Sequence, residues 1–69
     1  MEWYLFELCY QNKDLTAGTD FHKELLANSS DAKARAIKVL QEGKRDCNAY
    51  LVTLYGKHRG DWKKIVSYQ

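Results

Sequence analysis

The sequence predicts a small α+β domain, with a single helix packed on a mostly antiparallel sheet of three to four strands in the order ββαββ. Three observations lead there. Aromatic and apolar runs without helical spacing occur at residues 2–10 (EWYLFELCY), 47–55 (CNAYLVTLY) and 61–68 (DWKKIVSY), the composition of strands. The clearest helical apolar period runs from Ser30 to Glu42. Glycines and small polar residues separate these segments, as turns require.

Residues 2–10 have no helix cap ahead of them and are expected to form the first strand. Residues 11–20 (QNKDLTAGTD) mix Asn, Asp, Gly and Thr and are expected to form a wide hairpin loop. Residues 21–27 (FHKELLA) fit a strand face through Phe21, Lys23, Leu25 and Ala27, with a short helical turn at 20–26 as the alternative. A strand is favoured because Asn28, Ser29 and Ser30 are good N-caps and Asp31 suits the positive end of a helix dipole, so a new element starts there.

In the helix, Ala32, Ala36, Val39 and Leu40 form one stripe flanked by Ile37, opposite Arg35, Lys38 and Glu42. Gly43 is expected to stop it, with Lys44 and Arg45 near its negative end. Residues 47–55 and 61–68 then make a hairpin across the glycine-flanked connection 56–60. Residues 4–8 (YLFEL) echo residues 50–54 (YLVTL), which assigns both to the same kind of strand without establishing a duplication. The order ββαββ admits a β-grasp-like sheet, with first and last strands parallel at the centre, or an antiparallel four-stranded one. The first is favoured because the right-handed crossover rule accommodates it.

Sixty-nine residues leave room for one core, so residues 1–69 are expected to be a single domain. The 45% hydrophobic and 29% charged fractions, with nine aromatics, exclude a disordered chain. No basic segment precedes an apolar run and Glu7 interrupts the first one, so neither a signal peptide nor a membrane span is expected. Two cysteines, Cys9 and Cys47, are too few for a secreted disulfide framework, which makes the cytoplasm the expected compartment and both residues free thiols buried in strands. Charge is polarised: residues 1–31 carry two lysines against six acids, net −4, and residues 32–69 carry nine basic residues against three acids, net +6. Such a chain suits an acidic partner for its second half or a self-complementary assembly.

No catalytic motif is present, and the protein is expected not to be an enzyme, with no cofactor, metal or small-molecule substrate. His22 lies near Asp20 and Glu24, but a solvent-facing histidine on a polar strand face explains it. Cys9, His22, Cys47 and His58 lack the close paired spacing of zinc ligands, and Gly18, Gly43, Gly56 and Gly60 match no phosphate-binding loop. Arg59-Gly60-Asp61 is expected to be a hairpin turn.

Two surfaces remain. By alternation Tyr4, Phe6, Leu8 and Tyr10 oppose Trp3, Leu5, Glu7 and Cys9, while Tyr50, Val52 and Leu54 oppose Ala49, Leu51, Thr53 and Tyr55. One helix covers one face, so Trp3, Leu5, Leu51 and Tyr55 are candidates for an interface with a second copy or another protein. The second hairpin carries Lys57, His58, Arg59, Lys63 and Lys64 around Trp62, a set that would suit single-stranded nucleic acid. The primary expectation is a self-associating protein-interaction module, and the alternative is a nucleic-acid-binding module.

Overall fold

A computed structural model describes residues 1–69. The elements are β1 (Glu2–Gln11), β2 (Ala17–Leu26), α1 (Ser29–Cys47), β3 (Ala49–His58) and β4 (Asp61–Tyr68). They form one helix on a four-stranded antiparallel sheet in the order β2-β1-β3-β4. The expected α+β class and ββαββ order are what the structure shows; the β-grasp-like arrangement is not.

The helix explains the difference. Its 19 residues carry the chain about 28 Å back along the sheet. Asn48 then turns it in the left-handed conformation (φ 59°), straight into β3 beside β1, where Ala49 pairs with Tyr10. The central position goes to the strand that can bury Val52 and Leu54, while β4, with its adjacent lysines, takes an edge, where charge is tolerated.

Asn28 caps the helix through its Oδ1, which accepts from the Asp31 N–H at 2.9 Å. Gly43 does not end it. The helix runs one further turn to Cys47, and the Asn48 N–H donates to the Gly43 carbonyl. Gly43 is instead a point of close approach: a Cβ there would stand 2.9 Å from the Cβ of Ala49 and from Leu8 Cδ2. Ala32, Ala36, Val39 and Leu40 pack on Tyr4, Phe6, Ala49, Val52 and Leu54 to form the core.

Strand β2 begins four residues earlier than the sequence suggested. It pairs with β1 in unbroken register from Gln11–Ala17 to Glu2–Leu26, so Thr19 and Asp20 are strand residues whose polarity an edge accepts. The true loop is residues 12–16, closed by Thr16, whose N–H and hydroxyl both donate to Asp14 Oδ1. That pair holds the Asp14 carboxyl below its ordinary pKa, through the hydroxyl first and the amide second. At the other end of the chain, β3 and β4 run on to a two-residue turn, Arg59-Gly60, with φ of 52° and 86°. Gly56, Lys57 and His58 therefore belong to β3 and not to a five-residue connection.

Two bulges re-aim side chains. Cys9 pairs with Leu51 and Tyr10 with Ala49, so Tyr50 is the extra residue: Ala49 turns to the core and Tyr50 is half exposed. This reverses the expected alternation at both positions. Leu54 pairs with Val66 and Tyr55 with Lys64, leaving Ile65 as the extra residue of β4. Without it Trp62, Lys64, Val66 and Tyr68 would share a face; with it Val66 and Tyr68 pack on the core while Trp62 and Lys64 stand on the opposite side. The echo between residues 4–8 and 50–54 also has a structural place. A half-turn about the paired residues Glu7 and Thr53 carries Leu5 onto Leu51, Phe6 onto Val52 and Leu8 onto Leu54.

The helix-free face as candidate functional site

The register brings residues from all four strands onto the face that α1 does not cover. Leu25, Trp3, Lys57 and Trp62 form a row at one end, with Trp3 and Lys57 one step beyond the pair Tyr4–Gly56. Next come Lys23, Leu5, Tyr55 and Lys64, and then Phe21, Glu7, Thr53 and Ser67. Thr19, Cys9 and Leu51 make up the following row. Trp3 is 50% exposed, Phe21 60% and Leu25 44%, which is unusual for large apolar side chains gathered on one surface.

Polar groups at the centre of this face are satisfied within it. The Tyr55 hydroxyl donates to Glu7 Oε1 at 2.8 Å, and this bond together with partial burial raises the tyrosine's pKa. Thr53, at 5% exposure, shares a 2.9 Å hydrogen bond with Ser67. The Lys57 ammonium lies 5.2 Å from the centroid of the Trp62 ring, within cation–π range. Charge is divided unevenly between the two sides of the sheet, with Lys63 the one lysine of the strands on the helix side. Lys23, Lys57 and Lys64 stand on the helix-free face against Glu7 alone, whereas Glu2, Asp20 and Glu24 share the helix side with Tyr4, Leu8 and Phe6.

Trp3, Leu5, Leu51 and Tyr55 thus lie on one face, as the alternation requires. The basic set divides. Lys57, Trp62 and Lys64 join that same face, Lys63 pairs with Gly56 on the other side, and His58 and Arg59 sit at the turn. The two surfaces that the sequence separates are therefore continuous. Sequence reasoning missed Phe21, Lys23 and Leu25 as members of this face, although their alternation was the available signal. Tyr50 was beyond reach because only the bulge exposes it.

On the helix side His22 is exposed, as expected, and one face of its ring also stacks on Phe6, with centroids 4.9 Å apart and planes 14° apart. His22 Nε2 is 3.4 Å from Glu24 Oε2, and the Arg35 Nε donates to both Glu24 oxygens at 3.1 and 2.9 Å. Partial burial opposes the Glu24 charge, but the hydrogen bonds and charges of Arg35 and His22 outweigh it and lower the carboxyl's pKa. A hollow of about 280 Å³ lies between α1 and β2, lined by Asp20, His22, Arg35, Glu42, Asp46 and Cys47 among others. Cys47 closes the helix rather than lying in a strand, and both cysteines are free and half-buried. Nowhere do three His, Cys, Asp or Glu side chains come together in a geometry that could hold a metal ion. No helix is long and apolar enough to cross a membrane.

Comparison with known proteins places this chain beside nothing: no protein-family model, no curated protein and no solved structure matches it.

Proposed function

We propose that this protein is a non-enzymatic interaction module whose working surface is the helix-free face of its sheet. The observation that carries the reading is the exposure of Trp3, Phe21 and Leu25 together on the face the helix leaves open. An antiparallel sheet facing only water alternates into polar residues, and a large apolar patch on a small domain marks a contact surface. A second copy of the chain is one occupant of this surface, favoured by Trp3, Leu5, Leu51 and Tyr55; single-stranded nucleic acid is the other, favoured by the lysines around Trp62.

Both tryptophans, Trp3 and Trp62, sit on this face, so intrinsic fluorescence reports whether it is covered. If a second copy is the occupant, light scattering over a concentration series will show the mass rising from 8.1 kDa towards twice that value as the emission shifts to the blue. A constant monomer mass removes self-association. The surface reading itself is checked by Trp3→Ser: a contact residue costs less than about 1 kcal/mol of stability when replaced. A loss on the ~3–5 kcal/mol scale of a core aromatic would mean that the face serves folding and not contact.

A further inference from the structure

Resting on the reading of the helix-free face as the working surface, we infer that its occupant is single-stranded nucleic acid, held across the end of the sheet where Trp3, Tyr55 and Trp62 meet Lys23, Lys57 and Lys64. Charge decides between the two occupants. The face carries three lysines and one acid, and that acid, Glu7, is already engaged by the Tyr55 hydroxyl. Two such faces brought together would oppose like charge to like, whereas a phosphate backbone neutralises the lysines and releases counterions.

The arrangement of the two residue types fits a strand of nucleic acid. Strands lie about 4.8 Å apart, so the row Leu25, Trp3, Lys57, Trp62 spans about 14 Å and sets the tryptophans about 10 Å from each other, with an ammonium between them. In the adjacent row Lys23 and Lys64 stand on the two outer strands with Leu5 and Tyr55 inside. Trp3 and Tyr55 on the central strands and Trp62 on β4 offer platforms for bases, and the Lys23 and Lys64 cations on the outer strands lie where the backbone would pass. A duplex fits poorly, since its bases are stacked inside and its major groove admits a helix or a two-stranded ribbon rather than a four-stranded face.

The test is fluorescence anisotropy of a labelled oligothymidylate and a mixed-sequence RNA, each about 12 nucleotides long, titrated with the protein at about 50 mM and about 200 mM salt. Saturable binding is expected, with quenching of tryptophan emission. Three neutralised phosphates on a single strand give a log–log salt slope near −2, so affinity falls about 20-fold between those salt concentrations. Trp62→Ala lowers affinity about 5- to 150-fold, the range for one stacked base. Lys57→Glu and Lys64→Gln weaken binding, while Lys33→Glu on the exposed helix surface leaves it within about 2-fold beyond the general charge effect. Circular dichroism checks that each variant is folded. No binding at the lower salt, or equal losses from Lys33→Glu and Lys57→Glu, overturns the inference. If oligonucleotides fail while mass doubles and emission shifts with protein concentration, the face is a protein interface: the nucleic-acid occupant is lost and the surface reading stands. If neither occurs, both fall.

Discussion

Gly43 shows how one side chain's absence sets a helix against a sheet. In an exposed helix interior Gly→Ala gains about 1 kcal/mol from propensity. Here the added methyl would meet the Ala49 Cβ, fixed to the backbone of β3, so Gly43→Ala is expected to lower stability by about 1–3 kcal/mol, as overpacking does, measured by urea denaturation. A gain would show that the contact yields. At Glu24 the argument is electrostatic. Its pKa is lowered in the fold, so its contribution is complete above the ordinary carboxylate range and is lost as pH falls through the folded-state value. Arg35→Ala removes its main partner; urea midpoints measured from pH 6 downward are expected to show a shallower acid decline in the variant. Parallel curves would indicate that the ion pair does not set that limb.

Among the elements, the second hairpin is held by a turn whose central residues both have positive φ, and the first of them is Arg59. Arginine enters this conformation at a cost, whereas Asn-Gly is the preferred pair for such turns. Arg59→Asn is expected to raise the thermal midpoint by a few degrees, corresponding to about 0.5–1 kcal/mol, and an unchanged or lower midpoint in calorimetry would contradict this. Elements were legible in the sequence where periodicity was clean. Ala32, Ala36, Val39 and Leu40 fixed the buried stripe of α1, and the cap candidates Asn28, Ser29 and Ser30 bracketed its start. Boundaries failed where composition misled: Thr19 and Asp20 read as loop because an edge strand tolerates them, and Gly43 read as a terminator because its neighbours across the core are invisible in one dimension. The bulges at Tyr50 and Ile65 left no local signal, since each arises from pairing with another strand.

For the whole molecule, alternation along β1 and β3 was enough to group Trp3, Leu5, Leu51 and Tyr55, because strict period two survives in both strands away from the bulge. It could not join them to Trp62 and Lys64, whose side depends on Ile65, nor decide the sheet order, which follows from how tightly Asn48 joins α1 to β3. The half-turn relating the hairpins is imperfect in one respect with a wider consequence. Both bulges fall in the second hairpin, so its outer strand is kinked, while β2 is regularly paired over ten residues with neither proline nor bulge. The molecule thus has one guarded edge and one open one. Along β2 the charges of Asp20, Lys23 and Glu24 are what discourages a strand from another chain from extending the sheet. The same strand that widens the helix-free face is therefore the edge left open to strand addition.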